Sequence, residues 1–237
     1  MPAGAGIGGA RRKAISIDQT RSGVIGHNPP GTTITQSRIA RIVGSSWRLS
    51  HRDIGLNPPS FVSHDWIASA FTPPAQQQPW MAGVLAESDE LIDELIAADI
   101  LVFGAPLYNF GMPAALKAWV DLVVRMGRTV DYDPTTPEDP FTPLLADRPR
   151  HAVILSFRGG VGFGPGGELA HLNHLEPGLS TVLEFIGITR THCIAVENQE
   201  AGGELLAASV ADAGRRVNAL VDELQATLSV TRSVAPA

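Results

Sequence analysis

The chain's folding options are narrowed most by residues 99–113, Asp99-Ile100-Leu101-Val102-Phe103-Gly104-Ala105-Pro106-Leu107-Tyr108-Asn109-Phe110-Gly111-Met112-Pro113. The apolar run at its start has no polar alternation, so it reads as a short strand buried on both faces, as in a parallel sheet covered by helices on each side. Gly104, Pro106 and Asn109 then break the periodicity. Pro113 suits the first turn of a helix, where its missing N–H would be unpaired anyway. Strand, tight loop and helix follow in that order. In an open parallel sheet, ligands bind beyond the carboxyl ends of the strands at the switch point. Tyr108, Asn109 and Phe110 stand there. Either their rings plug a strand-to-helix corner, or the rings, the amide and the exposed backbone N–H groups bracket a flat hydrogen-bonding ring system.

The remaining chain alternates in the same way. Lys13-Ala14-Ile15-Ser16-Ile17 is a first strand, and residues 18–35 form a long loop punctuated by Gly and Pro. Thr35-Gln36-Ser37 caps an amphipathic start at 38–43, where free N–H groups and the helix dipole make either an ordinary N-cap or a phosphate cradle. Residues 47–53 make a second strand. Residues 57–79, rich in Pro, Gln and Ser and carrying Phe61, Trp66, Ile67 and Phe71, read as a long loop that walls a site or reaches a neighbouring subunit. Ser88 reads as the cap of a helix beginning at Asp89. Met112, Leu116, Trp119, Val120, Val123 and Met126 form a helical stripe ended by Gly127, with Lys117 and Arg125 expected in solvent. Residues 129–149 read as a loop bearing Tyr132 and Phe141.

The fourth strand, His151-Ala152-Val153-Ile154-Leu155-Ser156, runs into Phe157-Arg158-Gly159-Gly160-Val161-Gly162-Phe163-Gly164. This glycine loop brings backbone amides close to a ligand edge, with Arg158 as a charged neighbour. Gly162-x-Gly164-x-x-Gly167 lacks the downstream acid of a dinucleotide fingerprint, and no strand precedes Gly4-x-Gly6-x-x-Gly9. A helix at 179–186, a strand at 191–196 and a closing helix at 204–224 complete the pattern. Residues 1–10 and 226–237 are expected to be disordered tails around one domain at 11–225.

With 18 Lys+Arg against 24 Asp+Glu, the formal charge of −6 offers no broad basic field for nucleic acid or an acidic membrane. Cys193 is the single cysteine, which excludes an internal disulfide and a thiolate metal cluster; in its strand it is expected to be a buried hydrophobe. His171 and His174 share a helix face without a third ligand, so no metal is expected. No apolar run approaches a membrane span, and a cytoplasmic protein is the expectation.

Five strands alternating with helices make a doubly wound α/β sheet of flavodoxin-like order 2-1-3-4-5. Three carboxyl-end loops then share one pocket: a hydroxyl-bearing loop after the first strand, Pro-x-Tyr-Asn-Phe after the third and Arg-Gly-Gly after the fourth. They provide for a phosphate, a flat ring and a ring edge, the parts of a flavin mononucleotide.

Arg52-Asp53-Ile54, Ser88-Asp89-Glu90-Leu91-Ile92, Ala105-Pro106-Leu107-Tyr108-Asn109-Phe110, Leu116-Lys117, Arg158-Gly159-Gly160 and Phe185-Ile186-Gly187-Ile188-Thr189 together resemble the FMN-dependent NADH:quinone oxidoreductases, also called FMN-dependent azoreductases, from about Arg52 to Leu224. The resemblance implies that Pro106, Leu107, Tyr108, Asn109 and Phe110 wrap the isoalloxazine and that Arg158, Gly159 and Gly160 line its pyrimidine edge. It implies a homodimer with sites at the interface, where Phe110, Tyr132 and Phe185 shape the substrate pocket together with the position of Gly162. NADH or NADPH and a quinone or azo acceptor would occupy that pocket in turn, a ping-pong exchange of two electrons centred on the flavin rather than on a catalytic side chain.

The chain departs from the family pattern in four places, one of them Phe157, which stands where a polar residue is usual before Arg158. Gln19-Thr20-Arg21 stands where a Ser is usual, the hydroxyl cluster Thr35, Gln36, Ser37 arrives only after a long insertion, and Gly162 stands where His or Tyr is usual. Thr20, Thr35, Gln36 and Ser37 are the candidates for the phosphate. Two other readings fit the same strands: a flavodoxin-like electron carrier, and a non-catalytic relative that has lost FMN.

Overall fold

The computed structural model describes residues 12–19 and 47–233. Thr20, Thr35, Gln36, Ser37, the helix expected at 38–43 and the tail expected at 1–10 lie outside the described residues.

The main sheet joins β1 (Arg12–Asp18), β2 (Trp47–Asp53), β3 (Ile100–Pro106), β6 (His151–Phe157) and β7 (Arg190–Val196) in the order β2-β1-β3-β6-β7, every pair parallel. This is the expected 2-1-3-4-5 order, with β6 and β7 as its fourth and fifth strands. β3 has no polar alternation because both of its faces are covered. Leu101, Phe103 and Ala105 point into one core with Leu91, Leu95, Trp119 and Leu183, while Ile100 and Val102 point into a second core with Val217, Leu220 and Leu224. Phe103 and Trp119 meet edge to face at 5.4 Å. The helices supplying these cores are α2 (Pro79–Ala97), α3 (Ala114–Val123) and α4 (Glu176–Phe185) on one face and α5 (Gly203–Ser233) on the other.

Asp99 clasps the two neighbours of β3 just before that strand begins. Its Oδ2 accepts from Lys13 N at 2.9 Å. Its backbone donates to Lys13 O at 2.8 Å and accepts from His151 N at 3.1 Å. Its Oδ1 pairs with Arg148.

Several sequence expectations are corrected. Residues 57–79 contain helix α1 (His64–Ala70), capped by Ser63 Oγ, which accepts from Trp66 N at 3.1 Å. Ser88 caps nothing, because α2 begins at Pro79 and Ser88 sits buried within it. Its Oγ donates to Leu122 O at 2.6 Å and accepts from Arg125 at 2.9 Å. Arg125, expected in solvent, is buried and also pairs with Asp89, which is shared with Arg128. Residues 88–90 are therefore a latch: Ser88 and Asp89 fasten α2 to the end of α3, and Glu90 with Glu94 binds Arg52 of β2 at 2.6 and 2.7 Å. Lys117 is exposed, as expected, and pairs with Asp121 one turn on. The loop expected at 129–149 folds into a ribbon, β4 (Val130–Tyr132) against β5 (Phe141–Pro143). Cys193 is exposed rather than buried, because β7 is an edge strand. Helix α5 continues to Ser233, so residues 226–233, expected in a disordered tail, are helical. No helix among the described residues is long and apolar enough to cross a membrane.

At the amino ends of β6 and β7, His151 and His192 stack with ring centroids 5.6 Å apart and Nδ1 to Nε2 at 3.3 Å. Burial first, then His192 and Arg190, hold the His151 pKa down at about 4, against an opposing pull from Glu223 of α5. A depressed histidine makes the unfolded chain take the proton first. Stability is therefore complete above the ordinary histidine range and is lost as pH falls toward about 4. His151 alone should make the chain about 2 kcal/mol less stable at about pH 5 than at about pH 7.5. Urea unfolding at the two pH values checks this: His151→Gln removes that share, and equal acid sensitivity in both proteins contradicts it.

Candidate functional site

The strand ladders bring three loops to one rim. Asp18 lies opposite Gly104, and Pro106 opposite Phe157. Each loop leaves its strand with one further bond: Gln19 N to Gly104 O at 2.9 Å, Leu107 N to Phe157 O at 2.8 Å and Arg158 N to Val196 O at 2.9 Å.

After β3 the chain reverses through Tyr108-Asn109-Phe110-Gly111, closed by Gly111 N to Tyr108 O at 3.0 Å. Asn109 and Phe110 both take positive φ, 47° and 68°, as the two central residues of a type I′ turn must. Asn tolerates that region, whereas Phe110 adopts it at a cost of roughly 1–2 kcal/mol. Strain of this kind is held where the surroundings fix it, and here His174 N donates to Phe110 O at 2.8 Å. The rings of Tyr108 and Phe110 are left half exposed. They do not plug the corner.

After β6 the backbone of Arg158, Gly159 and Gly160 is gripped by the loop after β7. Gln199 N, Glu200 N and Asn198 N donate to their carbonyls at 3.1, 3.1 and 3.3 Å. At Gly159 a Cβ would lie 2.5 Å from Glu200 Oε1, the end of an exposed side chain that would have to swing aside. The Arg158 side chain is not at the rim. It is buried, paired with Glu176 and, at 3.0 Å, with Glu197. Arg158 therefore offers this site its backbone and not its charge.

The N–H groups of Asn109, Phe110, Gly159 and Gly160 find no acceptor among the described residues. They sit on the loops after β3 and β6, and at the end of the neighbouring β1 the buried Oε1 of Gln19 also finds no donor among the described residues. Two half-exposed rings, four available donors and an orphaned acceptor suit a flat heterocycle with oxygen and nitrogen atoms at its edge. An isoalloxazine meets that description, so the residues present fit FMN.

The aromatic residues expected around the substrate form two groups. Tyr132, Phe141 and Phe185 make a row with centroids 5.4 and 5.3 Å apart. Phe110 instead faces Phe163 at 6.3 Å. No ring contact joins the two groups among the described residues. Gly162 lies within the glycine loop, next to Phe163, at φ 89°. The sequence reading missed Phe141 as a site residue, although the pairing of Tyr132 with Phe141 was open to a hairpin reading. It also missed Phe163, which stands between glycines in the glycine loop. His171 and His174 are exposed, and the described residues hold no cluster able to bind a metal.

A model of the flavodoxin-like fold family matches residues 24–221. The FMN-dependent NADH:quinone oxidoreductase 2 of Idiomarina loihiensis is 37% identical over 227 residues, covering 93% of this chain and 92% of the relative. The chain belongs to the FMN-dependent NADH:quinone oxidoreductase family. The FMN-dependent NAD(P)H:quinone oxidoreductase 1 of Pseudomonas aeruginosa is 39% identical over 201 residues, covering 81% of this chain and 94% of the relative. Among solved structures, an FMN-dependent NADH-azoreductase from Bacillus anthracis in complex with FMN superposes with TM-score 0.76 at 14% identity, covering 90% of this chain and 99% of that one. That similarity establishes the shared fold.

Family membership gives the Phe185-Ile186-Gly187-Ile188-Thr189 segment a structural meaning. Helix α4 ends there in a Schellman cap, with Ile188 N to Leu183 O at 2.8 Å and Gly187 N to Glu184 O at 2.9 Å. Leu183 and Ile188 are both fully buried, as the hydrophobic pair that accompanies this cap. The cap sets Phe185 at the last turn, against Phe141.

Proposed function

We propose that the chain is an FMN-dependent oxidoreductase carrying two electrons from NADH or NADPH to quinones or azo compounds. The observation that carries this reading is the set of four available N–H groups from Asn109, Phe110, Gly159 and Gly160 on neighbouring loops. These groups would hold the oxygen and nitrogen atoms of the isoalloxazine, with Pro106, Leu107 and Tyr108 along its side and Thr20, Thr35, Gln36 and Ser37 toward its phosphate. When bound, FMN would supply the two-electron chemistry between the nicotinamide and the acceptor. The protein orients the reactants and keeps water from the ring. Phe110 would cover one side of the pocket, and the row Tyr132, Phe141, Phe185 stands free to cover the pocket of a second copy, which makes the homodimer the working unit.

The test is the visible spectrum of the purified protein with added FMN. Retained flavin bands that bleach with NADH and return with a benzoquinone are expected. A protein that retains no flavin at micromolar concentration overturns the reading, and one that binds flavin but fails to bleach overturns the nicotinamide half of it.

A further inference from the structure

Phe163 has no role in the function proposed above, yet it is held in a defined place. One edge of its ring lies 3.6 Å from the point where a Cβ on Gly160 would sit. Its ring centroid is 6.3 Å from that of Phe110, with 38° between the planes. Two consecutive residues fix this pair. Asn173 Nδ2 donates to Phe163 O at 3.0 Å while Asn173 Oδ1 accepts from Leu175 N at 3.2 Å, and His174 N donates to Phe110 O at 2.8 Å. Asn173 is only 7% exposed. The backbones that carry the two rings are therefore tied to one short segment, Asn173–His174.

The loop that carries Phe163 is folded back by glycines. Gly162 takes φ 89° and accepts from Leu169 N at 3.0 Å, and a Cβ on Gly167 would lie 2.2 Å from Gly162 O. A chain that cannot bend this way could not lay Phe163 against Gly160. What the bend creates is an apolar surface of two touching aromatic rings, Phe110 and Phe163, the second lying beside the Gly160 backbone, with no charged side chain among these three residues.

On the proposed function, we infer that Phe163 is a specificity-determining residue, extending the ring of Phe110 into an apolar wall that favours acceptors with a fused aromatic ring over small hydrophilic quinones. A second ring in the acceptor extends across both rings and gains dispersion and ring–ring contact with Phe163, whereas a single small ring reaches only Phe110. Pocket contacts of this size discriminate by roughly tenfold.

The test compares wild type, Phe163→Ala and Phe163→Leu, each loaded with FMN. Two quantities are read: the FMN dissociation constant from quenching of flavin fluorescence, and kcat/KM with menadione, a naphthoquinone, against unsubstituted benzoquinone. Phe163→Ala should keep FMN affinity within about twofold, lose about tenfold with menadione and less than about threefold with benzoquinone. Phe163→Leu, which keeps an apolar side chain, should fall between wild type and alanine, and it carries the test if the alanine variant does not fold. Equal losses for both quinones, an unchanged menadione rate, or a loss traced to FMN affinity would each overturn the inference. A wild type that takes up no FMN overturns the proposed function and this inference with it; a wild type that works with both quinones separates the two.

Discussion

Gly187→Ala is expected to destabilise the chain by roughly 3–5 kcal/mol, a loss near the upper end of what single substitutions do. Two costs add at this position. Gly187 takes φ 103°, a backbone conformation that costs an alanine on the order of 1–3 kcal/mol. An alanine Cβ would also lie 2.5 Å from Ala146 N and 2.8 Å from Leu145 C, and these are backbone atoms that cannot swing aside. Leu145 N donates to Ile186 O at 3.0 Å, so moving that segment also breaks the bond that docks it on α4. For a chain of this size each kcal/mol lowers Tm by roughly 2–4 °C, giving a fall of about 10 °C in a thermal scan. Gly83→Ala is the matched control, since it lies in α2 with nothing within 4 Å of its Cβ. It should leave Tm unchanged or raise it slightly. A Gly187→Ala protein melting with wild type would show that the turn relaxes more easily than its contacts indicate.

Glu176→Leu is the second large effect, again about 3–5 kcal/mol, and its cause is electrostatic. Glu176 Oε1 accepts from Ser156 Oγ at 2.5 Å and from the Arg158 guanidinium. Both side chains of the ion pair are nearly inaccessible, 5% exposed for Arg158 and 6% for Glu176. Removing the acid leaves a buried cation with only Glu197, 3.0 Å away and a quarter exposed, to balance it. Burial pushes the Glu176 carboxyl up, but Ser156 and Arg158 outweigh it and hold the pKa below the usual range. A depressed carboxyl contributes stability that is present above the unfolded value and lost as pH falls through the folded one. Denaturant unfolding should therefore show Glu176→Leu with less acid dependence as well as lower stability. Glu176→Gln keeps the shape and should lie between. The double variant Arg158→Met, Glu176→Leu should recover much of the loss, because a buried pair replaced by apolar groups is often neutral. If it recovers nothing, packing rather than charge explains the single variant.

The strands and their order were legible because β3 and β6 are runs of apolar residues between glycine- and proline-rich turns, a pattern few other structures produce. Residues 47–53 were placed correctly from the alternation of Trp47, Arg48, Leu49 and Ser50 in sequence, although at the sheet's edge the strand is largely exposed and its burial does not alternate. What escaped the sequence depended on distant partners. Arg125 looks like a solvent residue on a helix face until Ser88 and Asp89 come to meet it. Ser88 before two acids imitates a helix start, and only the upstream Gln78-Pro79 entry shows that the helix is already two turns old. At the site, the backbone cradle was legible from Pro, Asn and Gly. The inward turn of Arg158 was not, because nothing nearby in sequence announces Glu176 and Glu197. Phe163 was hidden for the opposite reason: glycines on both sides suggest mobility, but here they permit one tight path.

The two-faced burial of β3 leaves a problem of pairing register. A strand with one wet face cannot slip by a residue without exposing its apolar side, but β3 would carry apolar residues to both faces after such a slip. Burial alone therefore barely distinguishes correct from shifted alignment. Asp99 does distinguish them, since its side chain and backbone hold Lys13, His151 and Arg148 at one fixed step of the ladder. Because β3 also delivers Asn109 and Phe110, a one-residue error there would displace the turn by about 3.3 Å along the strand. A carboxylate at the far end of the sheet thus sets where the Tyr108–Gly111 turn emerges.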